Sequence, residues 1–278
     1  MQSAMLPCTM CREQKRAAEG NDGGIKYWWI LPFLSFFFSL NNQSFWIDEC
    51  CTALCAMQQG MEGCWKKICE IGGSDAQMAF YYYLLFLWHH LTGAESEWML
   101  RLFNIFWVFL SSWFFRKEPK ALVILLISPF FVYYSNELRP YMLQIAASCA
   151  VSMLFWQVSR GEPIKFHVFF GSLFFLCLTS LTGVVWALGF AAAFMVMAFR
   201  QFGERRFWRA LLWWIFPFSG LGAYYLYTLF LGARAVSISS SWIVNACASM
   251  YELSGLAGMG PSRLELRMCM TPDALWNM

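Results

Sequence analysis

Asp48 and Glu49 stand side by side in "SFWIDEC", a few residues after the apolar run "KYWWILPFLSFFFSL". Carboxylates at the end of a membrane span cost free energy unless solvated or paired, which makes them candidates for chemistry. Neighbours on a helix point about 100° apart, so these two cannot share one proton. One is expected to face a cavity and the other to face solvent or a cation; the alternative is a charge pair that simply ends a span. A second group lies in "SPFFVYYSNELRPYML", residues 128–143. Pro140 disfavours helical geometry at Arg139, so the chain is expected to turn there. Glu137, Arg139 and Tyr141 alternate, and in an extended turn they share one side. A fixed cation with hydrogen-bond donors suits a phosphate oxyanion. The alternative is a Glu137–Arg139 ion pair that closes the turn. Arg101, in "SEWMLRLFN", stands where an apolar span begins. It can snorkel to lipid phosphate or reach into a site. His89 and His90 read as polar tips at an interface, with a catalytic role as the alternative.

The elements that carry these residues follow from composition. Of 278 residues, 59% are hydrophobic and 13% are charged, against about 25% charged in a soluble domain. The apolar residues fall in long runs, the pattern of a polytopic membrane protein. The net charge of +3 is small, and no basic run is interleaved with aromatics, so no nucleic-acid partner is expected. Candidate spans are 27–43, 98–115, 121–138, 141–158, 166–181, 183–199 and 210–231, with "TSLTG" (179–183) as the turn inside the longest run. No small-residue cleavage site follows the first span, which is read as retained. The expected fold is all-α, a transmembrane bundle of about seven spans with lateral interfacial helices in the first outer loop.

Residues 78–93, "MAFYYYLLFLWHHLTG", decide the count. If they lie on the outer surface and the N-terminus is inside, thirteen of the 20 Lys and Arg residues fall in inside segments; if they span, nine do. Cytoplasmic loops hold the excess of these residues, so the first arrangement is favoured. It gives a cytoplasmic tail at 1–26, a membrane module at 27–231 with its first outer loop at 44–97, and an external tail at 232–278. Four polar stretches then share the outer face: "WIDEC", "GGSDAQM", "SNELRPY" and the tail.

In the first outer loop Leu54, Met57, Met61, Trp65 and Ile68 recur at helical spacing, an apolar face interrupted by Gly60 and Gly63. Such a face can lie in the membrane interface or pack inside a small external subdomain. Cys50, Cys51, Cys55, Cys64 and Cys69 form an odd cluster that fixes no disulfide framework. "CTMC" (8–11) offers half of a structural zinc site, and no metal is expected. Cys149 and Cys177 read as small core residues. Gly255, Gly258 and Gly260 lack the strand–helix setting of a dinucleotide loop. A backbone nest at 258–260 with Arg263 is an alternative to a plain loop there.

Three stretches together resemble a known family. They are Asp48–Glu49 after the first span, "DAQMAFYYYLLFLWHHLTGAESEWMLRLFN", and "ISPFFVYYSNELRPYML". They look like the GT-C superfamily of membrane glycosyltransferases, in the branch of protein O-mannosyltransferases and the lipid A aminoarabinose transferase. The branch reads like "HPPLYYLLLxxxxxLFGxSExxLRL" in the second stretch and "LSPxxxxYSxEARxYxL" in the third. The likeness covers about residues 40–160, and Tyr134, Ser135, Glu137, Arg139 and Tyr141 match the third motif in order. It implies transfer of a sugar from a polyprenyl-phosphate carrier to an acceptor lipid, glycan or protein at the outer face of a bacterial inner (cell) membrane. It needs no cofactor beyond the lipid-linked donor. Asp48, with Glu49 beside it, matches the general base, and Arg139 and Arg101 are the cations that would meet charge on the leaving phosphate. The chain departs from the pattern where the family has His or Lys before its Pro-Pro pair; here it reads Met78, Ala79, Phe80. Asp75 and Gln77 are the neighbours that could bind sugar or acceptor hydroxyls. Family members usually continue beyond this length, so a truncated member is expected. A second reading is an inactive scaffold or lipid-binding protein that keeps the module. A small transporter fits less well, because the sequence shows no internal repeat.

Overall fold

The computed structural model describes residues 29–40, 45, 47–73, 75–160, 162–197 and 205–231. The 8–11 motif, Trp46, Ser74 and the tail from 232, with its glycines and Arg263, lie outside the described residues. The described chain is all-helical, with no strand. Its helices are α1 (Ile30–Ser39), α2 (Ile47–Ala56), α3 (Gly60–Ile71), α4 (Ala79–Thr92), α5 (Glu97–Arg101), α6 (Ile105–Phe114), α7 (Pro119–Ile127), α8 (Pro129–Asn136), α9 (Tyr141–Ser159), α10 (Phe166–Thr179), α11 (Leu181–Met197) and α12 (Arg205–Phe230). Short 3-10 turns at Ala76–Met78 and Leu102–Asn104 lead into α4 and α6.

Proline and glycine place most of the breaks. Pro119 and Pro129 each open a helix, where a missing N–H costs nothing. Ser128, just before Pro129, is extended (φ −61°, ψ 124°), as a residue preceding proline prefers. That break splits the expected span 121–138 into α7 and α8. Gly93 closes α4 in the left-handed region (φ 67°). Gly60, at φ +76°, separates α3 from α2. The expected single stripe of the outer loop is therefore divided. Leu54, Met57 and Met61 are exposed, whereas Cys55, Ala56, Cys64 and Ile68 form the buried side.

Three apolar clusters build the interior. The first joins α2, α3, α4 and α5 around Tyr81, Tyr82, Leu85 and Ile68. The second lies among α9 to α12 around Phe169, Leu173 and Phe194. The third joins α1, α6, α7 and α8 around Phe36, Leu122 and Phe131. Large apolar side chains also face outward, among them Phe38 (86% exposed), Val196 (81%) and Phe216 (85%). Of the described helices only α9 is both long and apolar enough by itself to cross a bilayer. α12 has the length, but its Trp, Tyr, Pro and Gly residues hold its hydropathy down. The expected seven spans are more than these helix lengths establish, because several expected spans are divided by turns.

α9 sets the long dimension. Its 19 residues rise about 28 Å at 1.5 Å each. Pro140 and the turn 137–140 stand at its start. At its end the exposed Arg160 meets Glu118 of the α6–α7 loop at 2.8 Å. Arg139 and the basic stretch 116–120 thus lie at opposite ends of one helix.

Between α10 and α11 the chain turns on Ser180, whose Oγ accepts the Gly183 N–H at 3.1 Å and donates to Gln144 Oε1 at 3.0 Å. A Cβ on Gly183 would come within 2.2 Å of the Leu176 carbonyl oxygen. Gly183→Ala should therefore cost about 1–3 kcal/mol through overpacking. Gly189→Ala, where nothing lies within 4 Å, should leave stability within about 0.5 kcal/mol or raise it. Thermal melts in detergent compare the two; equal melting points would contradict the close approach.

Candidate functional site

The two adjacent carboxylates part company as their helical spacing requires. Glu49 is buried at 3% exposure. Its Oε2 accepts from Arg101 Nη2 at 3.0 Å and its Oε1 from Arg101 Nε at 3.3 Å. Oε1 also accepts the Leu138 N–H at 2.8 Å. Arg101, equally buried, lies over the Phe45 ring at 4.9 Å. It is enclosed by protein and does not snorkel. The pair ties α2, α5 and the turn before α9 into one unit. Asp48 is half-buried on the other side of α2, and its backbone carbonyl accepts from Thr52 Oγ1 at 2.9 Å.

Arg139 is the centre of the second unit. It is 3% exposed. Its Nη1 donates to Asp75 Oδ1 at 2.8 Å, to the Tyr82 hydroxyl at 3.0 Å and to Thr52 Oγ1 at 3.4 Å. Tyr82 in turn donates its hydroxyl hydrogen to Asp75. Burial pushes the Tyr82 hydroxyl far above its ordinary range, more than nearby Arg139 lowers it, so it keeps that proton. Burial opposes the Arg139 charge, and the Asp75 and Asp48 carboxylates, with the Tyr82 hydroxyl oxygen as acceptor, outweigh that cost. All three Arg139 contacts run through Nη1. Its Nε is buried and has no hydrogen-bond partner among the described residues. The guanidinium therefore keeps donor capacity beyond what Asp75 uses.

The turn is held by its backbone and by Asp75. The carboxylate partner of Arg139 is Asp75, and Glu137 contributes its backbone carbonyl, which accepts the Arg139 N–H at 2.8 Å and Asn104 Nδ2 at 2.8 Å. Asn104 also takes the Tyr81 hydroxyl hydrogen at 3.0 Å. Glu137 is itself buried. Tyr141 starts α9 half-buried, its ring 4.8 Å from that of Tyr134. His89 and His90 each place Nδ1 on a nearby carbonyl, of Ala94 and Phe86.

Asp75 and Gln77 diverge across the 3-10 turn. Asp75 holds Arg139, so its carboxylate is engaged. Gln77 lines an open cavity of about 470 Å³ with Trp65, Ala79, Phe80, Tyr83, Leu178, Leu221 and Tyr224. The sequence reading passed over Thr52 and Tyr82. Thr52 stands one helical turn beyond Asp48, which could have flagged it; nothing in the sequence marks Tyr82 among its tyrosine neighbours. Among the described residues no group of three or more His, Cys, Asp or Glu could hold a metal ion.

No protein-family model, curated protein or solved structure matches the chain.

Arg101→Met would leave the Glu49 carboxylate buried without its cation, at a cost of about 3–5 kcal/mol. The double change E49L/R101M should recover most of that loss, keeping a residue of about 1 kcal/mol from the orphaned Leu138 N–H. Denaturation in detergent measures both. An Arg101→Met protein as stable as the parent would show that the pair does not hold this unit together.

Proposed function

We propose that the chain is a GT-C-like membrane glycosyltransferase that moves a sugar from a polyprenyl phosphate to an acceptor at the outer membrane face. The observation that carries this reading is the buried Arg139, with donor capacity to spare, on the far side of Thr52 from the half-buried Asp48. The three sequence stretches that resemble the superfamily meet at this point. Asp48 is the general base toward the acceptor hydroxyl or amine. Arg139, steadied by Asp75, Tyr82 and Thr52, meets the charge that develops on the leaving phosphate. Tyr141 stands at the same turn. Glu49, Arg101 and the Glu137 backbone act as positioning residues. Gln77 and the aromatic rings of the neighbouring cavity suit sugar hydroxyls and ring faces, and its size is that of a small-ligand site.

The membrane part of the proposal is seven spans, with α2, α3 and α4 outside the hydrocarbon layer. α4 is set outside by the distribution of Lys and Arg, thirteen of the 20 falling in inside segments against nine if it spans. The apolar side chains exposed on α1, α11 and α12 fit a lipid-facing surface. The basic stretch 116–120 and Arg160 share the end of α9 opposite Arg139, which suits a cytoplasmic end and an outer site. Accordingly, a reporter fused after Lys117 should read cytoplasmic and one after Glu137 external. An external reading at Lys117 would overturn the arrangement.

One feature favours a second reading, an inactive lipid-binding protein that keeps the module. The family's cation before the Pro-Pro pair is replaced by Met78, which is buried. Transfer assays on purified parent and Asp48→Asn decide between them. The enzyme reading expects measurable transfer by the parent and a loss of about 10²–10⁴ in rate for the variant, with membrane insertion unchanged. An Asp48→Asn protein that turns over at the parental rate would remove Asp48 from the mechanism. A parent that binds lipid phosphate but transfers nothing would favour the second reading.

A further inference from the structure

The outer-loop cysteines differ sharply in their surroundings. All five stand as free thiols: Cys50 exposed, Cys51 and Cys69 half-buried, and Cys55 and Cys64 both at 0% exposure. Those last two stand on the facing helices of a hairpin, Cys55 in the last turn of α2 and Cys64 in the second turn of α3. Only residues 57–59 connect the two helices. Both thiols enter the same buried cluster with Ala53, Ala56 and Ile68. Burial first, then Cys64, Asp75 and Cys51, push the Cys55 thiol up, whereas for Cys51 burial is followed by Asp75 and Asp48. Cys51 also precedes Cys55 by one turn on the same helix. Cys69 belongs to the far end of α3.

We infer that Cys55 and Cys64 form a disulfide that staples α2 to α3. The inference rests on the proposed topology in one respect, that this loop faces an oxidising compartment. The oxidant is an external disulfide, of a protein or a small molecule. A thiolate of the pair attacks one of its sulfurs and releases a first thiolate; the second cysteine, deprotonated, then displaces the remaining thiol from the mixed disulfide. One Cys–S–S–Cys bond forms, two protons leave the cysteines, and the oxidant departs as two thiols. The exchange belongs to folding. Once the core closes, burial pushes Cys55 up to about 12 and Cys64 up to about 11, and a thiol that does not ionise neither attacks nor is alkylated. The staple would anchor the end of α2 opposite Asp48 and steady the helix that presents Asp48 and Thr52.

The sequence supplies its own test. Met57 and Met61 lie between the two cysteines, and Lys66 lies between Cys64 and Cys69. Cyanogen bromide followed by trypsin thus isolates Cys64 on residues 62–66, apart from Cys69. Protein extracted from membranes with free thiols blocked should yield residues 62–66 joined to the peptide that ends at Met57, two hydrogens light, with fragmentation placing the link at Cys55. Reduction should separate them. The joined species should vanish in Cys55→Ser and in Cys64→Ser, and persist in Cys50→Ser, Cys51→Ser and Cys69→Ser. A link from 62–66 to Cys50 or Cys51 would overturn the pairing. Exposed Cys50 serves as the control for compartment, through a membrane-impermeant maleimide added from outside. Separate peptides with Cys50 labelled from outside overturn the staple and leave the topology standing; separate peptides with Cys50 protected overturn both.

Discussion

An arginine that is 3% exposed cannot sit in a protein interior without a counter-charge, because an unpaired buried cation is too costly to keep. Arg139 meets that demand by drawing in Asp75 across 64 residues of sequence, along with Tyr82 and Thr52. The contacts fix the turn before α9 against α2, α4 and the segment ahead of α4. Everything else in the proposed site depends on that fixture. Asp48 lies one turn before Thr52 on α2, and Thr52 accepts from Arg139, so one helix presents both residues on the side of the cation. Asp75 is spent on holding the cation, whereas Gln77 opens onto the aromatic cavity.

The neighbouring carboxylates show how one helix supports two tasks. Glu49 turns inward and is consumed by Arg101 and the Leu138 N–H. Asp48, about 100° round the helix, stays half-buried. A buried ion pair is weak evidence of added stability, and its use here is positional: it locks α2 at a fixed rotation. The rotation decides which carboxylate meets the Arg139 unit. Thr52, on the Asp48 side of α2, follows the same rotation.

Much of this was legible in the sequence because it is local. Pro119, Gly93 and the Ser180 turn mark helix ends through backbone sterics that need no tertiary information, and so does Pro129, although the expected span 121–138 ran through it. The divergence of Asp48 and Glu49 follows from helical spacing alone. The partner of Arg139 was not legible in this way. Glu137, two residues away, is the natural candidate in sequence, whereas Asp75 wins only through the packing of α2, α4 and the turn. The outer-loop stripe failed for a different reason. Gly60 adopts a positive φ that other residues avoid, so Leu54 and Met57 on one side share no continuous helical register with Cys64 and Ile68 on the other. Tyr82 carries no local mark at all, since three tyrosines in a row are equivalent until a fold buries one hydroxyl beside a cation.

The central claim is that Arg139 is a phosphate clamp, and a titration of polyprenyl phosphate without sugar tests it most directly. The titration compares parent, Arg139→Lys and Arg139→Ala. Lys keeps the charge facing Asp75 but loses the planar fork, so its affinity should fall between the other two. The alanine variant should weaken binding by about 2–5 kcal/mol, roughly thirtyfold to several thousandfold. If a folded Arg139→Ala protein binds the lipid phosphate as tightly as the parent, Arg139 only closes a turn and the clamp is wrong.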